Sequence, residues 1–294
     1  MLLVTLRLAL LLFTVDAGTT AQPPDGGEPS RPPVREATAV TPAFAIRGVT
    51  TQEPVVALTF DACATLKQPN GFDRKVFEIL AATQIPATFY LSGRWVEKHP
   101  TAARSIAAAP LIELGNHSYS HPRLTLVRKE RLRWQIRHTN QVLEKQLGRK
   151  PLTLRPPAGA WNAQVIRAAS DEGLPVVTWS VVSGDVGGHV PPARMVQAVL
   201  EQAKPGAIII FHINRREPYT KNALPDIIAG LRNQGLRFVT VSQLLAMPDA
   251  TLEPARPTRL GCGKRRRPPV PDVQAPAPAA EPAGPKEAHA DPPT

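Results

Sequence analysis

Residues 55–63 read Val-Val-Ala-Leu-Thr-Phe-Asp-Ala-Cys, a short apolar run that stops at a carboxylate. Its length and branched side chains suit a buried β-strand, and Asp61 then stands at the carboxyl end, facing the strand mouth while its backbone stays in the sheet. Similar runs recur at 87–91, 111–114, 152–154, 174–179, 207–211 and 238–241. Helical spacing fills several of the intervals. Leu132, Ile136, Leu143 and Leu147 share one face of a stretch otherwise rich in Arg, Lys and Gln, and Gly148 with Pro151 ends it. Val76, Ile79 and Leu80 make a second stripe, and Val196, Val199 and Leu200 a third. Strands alternating with helices predict an α/β fold with parallel pairing, whose closed version is a (β/α) barrel. In such barrels chemistry gathers at the carboxyl ends of strands, where Asp61, His117 and His212 fall.

The flanks differ in composition from this middle. Residues 1–15, MLLVTLRLALLLFTV, carry one arginine ahead of an apolar stretch, and small residues follow at Ala17, Gly18 and Ala21. That is a signal-peptide pattern over 1–21, short for a membrane span, although an uncleaved anchor is its alternative. Export to the periplasm or the medium is the expectation. Residues 22–48 are rich in Pro and Gly and are expected to be a linker, 49–250 the catalytic domain, and 251–294 a disordered Pro/Ala-rich basic tail with Lys-Arg-Arg-Arg at 264–267. Across 294 residues the formal charge is +11 and the pI about 10.2. Outside a cytoplasm, that favours electrostatic association with an anionic cell envelope. Nucleic acid is not an expected partner, because the basic residues come without an aromatic stacking platform or zinc-finger spacing. A monomer is expected. Two cysteines, Cys63 and Cys262, exclude a disulfide framework, leaving one bridge between them or two thiols.

Four segments carry the chemistry. Asp61 ends its strand, a place where an aspartate also serves as a helix cap. In Gly-Asn-His-Ser-Tyr-Ser-His, 115–121, His117 and His121 are four apart, so both imidazoles reach one ion if the backbone turns helically, with Ser118 and Ser120 as supporting hydrogen-bonders. Arg155 precedes Pro156 and Pro157, whose stiff backbone fixes its direction, and Gly159 allows a close turn. It is read as a bidentate partner of a carboxylate, Asp61 being the natural one. His212 closes Ile-Ile-Ile-Phe-His, 208–212, at the same end as Asp61. Asp185, in Trp-Ser-Val-Val-Ser-Gly-Asp, 179–185, is placed to accept the second N–H of His212 and keep that imidazole protonated, or else is a plain turn aspartate.

These segments resemble the motif set of the polysaccharide deacetylase family, the NodB-homology domain of carbohydrate esterase family 4, over about 55–245. The resemblance implies a distorted (β/α) barrel, usually of seven parallel strands. It also implies a divalent metal, commonly Zn2+ with Co2+ or another ion possible, and removal of acetyl from N-acetylglucosamine-containing polysaccharide such as peptidoglycan, chitin-like oligomer or exopolysaccharide. It casts Asp61 as general base, His117 and His121 as metal ligands, Arg155 as the orienter of Asp61, His212 as general acid and Asp185 as its tuning partner. Ile208 and Ile210 are expected in the acetyl pocket, with Pro157 and Trp179 beside it. One departure stands out: the family's second aspartate, a metal ligand directly after the base, is here Ala62. A two-histidine site, Cys63 as an additional ligand, or an incoming Asp73 are the options. The other functions left open are an inactive or weakly active glycan-binding barrel and an O-acetyl polysaccharide esterase.

Overall fold

The computed structural model describes residues 41–64, 71–186, 190–214 and 219–258. The leader-like segment 1–21, most of the expected linker, most of the tail and Cys262 lie outside them. No helix among the described residues is long and apolar enough to cross a membrane.

Among the described residues, six parallel strands build the sheet. The order runs β4 (Ile112–Asn116), β3 (Ala87–Leu91), β2 (Val55–Ala62), β6 (Ile208–His212), β5 (Val181–Val182), and β7 (Arg237–Phe238) pairs with the first residues of β2. The helices between them include α1 (Arg74–Thr83), α2 (Gly93–Lys98), α4 (Lys129–Leu147), α6 (Pro192–Gln202) and α7 (Tyr219–Asn233). The α/β barrel reading therefore holds, but two of the expected staves are not regular strands. The run at 152–154 keeps single bridges at Leu154, to Asn116 and to Val176, and 174–179 keeps bridges at Val176 and Val177. Prolines at 151, 156, 157 and 175 lack the N–H a ladder needs, which leaves these staves as isolated bridges. Those bridges link β4 to the segment that continues into β5, so the ring is distorted rather than evenly hydrogen-bonded.

Side-chain alternation sorts the strands into two faces. On β2, Val56, Leu58 and Phe60 join the core under the helices, whereas Val55 and Ala57 join the core inside the barrel. On β6, Ile209 and Phe211 go outward and Ile208 inward. Phe60 stacks between Phe89 and Phe211 at 5.1 and 5.3 Å, fixing β2 between β3 and β6 from the helix side.

In a two-stranded antiparallel ribbon, β1 (Ile46–Thr50) crosses the 48/49 boundary that composition suggests and β8 (Thr251–Pro254) lies just beyond the one at 250/251. The ribbon belongs to the folded body: Val49 N–H donates to the Gly206 carbonyl at 3.0 Å, and Ile46 N–H to Val176 at 2.8 Å. Gly206 has φ +82°, and a Cβ there would lie 1.9 Å from the Val49 carbonyl, so only glycine admits the ribbon. Gly206 precedes β6, which puts the ribbon at the amino end of the strands, away from Asp61.

Candidate active site

Strand register assembles the site. Asp61 pairs with His212 on one side and with Tyr90 on the other, and Tyr90 with Gly115, so one rung at the carboxyl ends of four strands carries all of them. Asp61 is buried. Arg155 is completely buried, its Nη1 donating to Asp61 Oδ1 at 2.9 Å and to Thr59 Oγ1 at 2.7 Å. Nη2 goes to the Thr178 carbonyl at 3.0 Å, so the expected bidentate fork is a single-nitrogen contact. The guanidinium lies over the Tyr90 ring at 4.0 Å and near that of Trp179 at 5.6 Å. Gly115 makes this possible, since a Cβ there would fall 2.4 Å from the Tyr90 ring. Burial pushes the Asp61 pKa up, but Arg155 first, then His117 and His212, outweigh it and hold it below the ordinary carboxylate value.

The histidine loop does not turn helically. Left-handed backbone at Ser118 (φ +60°) and His121 (φ +59°) folds the loop back instead, bringing the two imidazole centroids to 4.9 Å. His117 Nδ1 lies 2.8 Å from the Arg155 carbonyl, which can only accept; the ring proton is thus on Nδ1, and Nε2 turns a lone pair toward Asp61 Oδ2 at 3.5 Å. Burial lowers the His117 pKa, and burial followed by the neighbouring His117 takes His121 down to about 3, so both rings are neutral. Two neutral imidazoles, one anchored through its far nitrogen, fit a divalent ion. The set stops at two: among the described residues no group of three or more His, Cys, Asp and Glu side chains is arranged to hold a metal. Strand β2 ends at Ala62, one residue before alternation would aim Cys63 beside Asp61, and the Cys63 carbonyl and Sγ take Asn214 Nδ2 at 2.6 and 3.4 Å. Asp73 caps α1, accepting from Lys75 N–H. Ala62 packs in the core beneath the helices.

Across the rung, His212 Nδ1 donates to Asp185 Oδ1 at 3.0 Å, while Oδ2 accepts the His212 backbone N–H at 2.6 Å and the Thr220 hydroxyl at 3.2 Å. Burial depresses the His212 pKa, but the hydrogen bond and charge of Asp185 outweigh it and leave it raised. Of the expected pocket residues, Ile210 sits two register pairs below, level with Thr59. Ile208 is two pairs further down, wholly buried in the barrel core with Val177 and Val241, and does not reach the site. Pro157 is buried in a 3-10 turn (Pro157–Gly159), and Trp179 packs on Gly159. Thr59, Tyr90 and Thr220 complete the site. Thr220 gave no signal in the sequence, and Tyr90 read as one more strand aromatic.

An arginine-held carboxylate and a carboxylate-held imidazole on adjacent ends of a parallel barrel, with two neutral histidines beside them, define a hydrolase built for acid–base attack on an acyl group. Residues 48–177 match the family model described as polysaccharide deacetylase. The chain is 34% identical over 191 residues to a peptidoglycan-N-acetylglucosamine deacetylase of Bacillus cereus, covering 64% of this chain and 67% of that one. It is 32% identical to a chitooligosaccharide deacetylase of Rhizobium leguminosarum bv. trifolii, covering 59% and 76%. A carbohydrate esterase family 4 pseudoenzyme from Bacillus anthracis superimposes with TM-score 0.62 at 28% identity over 69% of both chains, and a mutant of it is described as having restored enzymatic activity. The chain belongs to the polysaccharide deacetylase family.

Proposed function

We propose that this protein removes N-acetyl groups from N-acetylglucosamine-containing polysaccharide, releasing acetate. The observation that carries the reading is the single rung on which Asp61, held by Arg155, faces His212, held by Asp185. Asp61 is the general base: with its pKa lowered it is ionised at neutral pH and accepts the proton of the attacking water. Arg155 keeps Oδ1 engaged, so Oδ2 is the oxygen left to take that proton. The new C–O bond makes a tetrahedral oxyanion. His212, whose pKa Asp185 raises so that it holds its proton more firmly, delivers that proton to the amide nitrogen as the C–N bond breaks, since an unprotonated amide nitrogen would have to leave as an anion. A divalent ion on His117 and His121, Zn2+ in this reading, supplies Lewis acidity for the acetyl carbonyl and an acidified water when bound. Ile210, beneath the rung, is the apolar contact for the acetyl methyl. The leader-like 1–21 and the basic charge support export and retention on an anionic envelope, where such polymers are found.

A second reading, glycan binding without turnover, is favoured by Ala62 in the ligand position and by the likeness to a pseudoenzyme. The deciding experiment measures acetate released from N-acetylglucosamine oligomers, peptidoglycan and O-acetylated xylan by the metal-stripped chain, then with zinc or cobalt restored, beside Asp61→Asn. Metal-dependent release from the N-acetylated polymers, absent in the variant, is expected. Binding of those polymers with no release would establish the second reading, and release from xylan alone would make the protein an esterase.

A further inference from the structure

The loop between the two histidines is gripped from both sides. From α2, the Gly93 and Arg94 N–H groups donate to the carbonyls of Ser118 and Tyr119 at 3.2 and 3.0 Å. From α4, Trp134 and His138 pack on the Tyr119 ring, and Gln135 takes the loop backbone. Its Oε1 accepts the N–H of both Tyr119 and Ser120 at 2.9 Å each, and its Nε2 donates to Ser120 Oγ at 2.8 Å. Gln135 is 1% exposed and stands on the buried stripe of α4, beside Leu132 and Ile136, where helical spacing calls for an apolar residue. Burying an amide there is costly unless both of its polar atoms are paired, and here both are paired to the loop alone.

The position of these bonds gives them their meaning. Tyr119 and Ser120 lie between His117 and His121, and left-handed backbone at Ser118 and His121 brackets them. Non-glycine residues hold that conformation only when their surroundings over-determine it. Without Gln135 the N–H groups of Tyr119 and Ser120 in this reversed segment lose their acceptor, and the loop is freed to relax toward a geometry in which the imidazoles part. We propose that Gln135 is a positioning residue that presets the spacing of the two histidines for the ion. This rests on the proposed reading of His117 and His121 as metal ligands, and it matters more here than in a three-ligand site because Ala62 supplies nothing.

The test is zinc affinity of the full chain by chelator competition, with the visible spectrum of the cobalt-loaded protein as a report on ligand geometry. Gln135→Leu is expected to weaken zinc binding roughly 10- to 100-fold and to alter the cobalt spectrum. Gln135→Glu, which keeps an acceptor for both N–H groups, and Thr139→Val, which removes the hydroxyl bond to the Gln135 carbonyl but leaves the loop contacts, should bind like the unsubstituted protein. Should Gln135→Leu not fold, Gln135→Asn, one methylene short of the loop, carries the same expectation. Unchanged zinc affinity in the leucine or asparagine variant overturns the role. So does equal weakening in Gln135→Glu and Thr139→Val, which would mark general damage to α4. If the unsubstituted chain binds neither zinc nor cobalt, the metal reading falls and this role with it.

Discussion

Two buried aspartates share the mouth of this barrel and are treated in opposite ways. Asp61 is given a permanent cation, Arg155, and Asp185 a titratable one, His212. A fixed positive charge holds a carboxylate ionised over the whole neutral range, which suits a base. A titratable partner whose pKa is raised holds its proton more firmly than a free imidazole but is able to lose it, which suits an acid. The proposed roles follow from the partners, since the two carboxylates are alike in chemistry and nearly alike in burial.

The most severe way to break the contrast is Arg155→Met. It strands Asp61 in the interior and should remove about 3–5 kcal/mol of stability together with all acetate release, read by chemical denaturation and by turnover. Asp61→Asn should abolish release too, while the amide retains one acceptor for Arg155 and so keeps more of the fold. His212→Asn should lower turnover by about 10² to 10⁴ and lower the melting temperature at acid pH, because the buried Asp185 loses its charged partner. Asp185→Asn should act more gently and in a way that depends on pH. His212 works protonated, so release falls as pH rises through its raised pKa, and without Asp185 that fall should begin at lower pH. Stability carries the same sign: the His212–Asp185 contribution is complete below the unfolded histidine pKa and lost as pH rises through the folded one. Asp61–Arg155 behaves oppositely, present above the unfolded aspartate pKa and lost only as pH drops through the lowered folded value. Melting scans from pH 5 to 9 should therefore show the gap between parent and Asp185→Asn closing toward alkaline pH. The smallest effect belongs to Thr59→Val, which removes one of two bonds at Arg155 Nη1 and should cost about 1 kcal/mol.

Much of this site was legible because its residues sit at the ends of unambiguous strands. The runs before Asp61 and His212 are long, branched and apolar, and register then aligns the two side chains without further information. The staves around Leu154 and Val176 were harder, because flanking prolines remove ladder bonds and leave isolated bridges that composition does not forecast. The ribbon of β1 and β8 escaped notice for a different reason. Each half is short and weakly patterned, and its partner is some two hundred residues away, a pairing that only the folded chain reveals. Gln135 left a trace in the sequence, a polar residue beside the apolar stripe of Leu132, Ile136 and Leu143, but one that passes for an edge position until its bonds are seen. The meeting of His117 with His121 depends on left-handed backbone at Ser118 and His121, so the two rings come together by a different local geometry from the helical turn that their spacing suggests.

The ribbon also fixes how the domain responds to being pulled. Ala255 N–H bonds the Ala45 carbonyl at 2.7 Å next to the pair Ile46 and Pro254, and outside that end Thr41 bonds Ser170 and Thr258 bonds Trp161, so both flanks are tied to the body before the ribbon is reached. Tension applied between the two flanks loads the ribbon from that end, where its hydrogen bonds meet the force one after another instead of sharing it. Under load those outer ties should part first and the ribbon next, while the rung of Asp61 and His212 at the far end of the strands keeps its register.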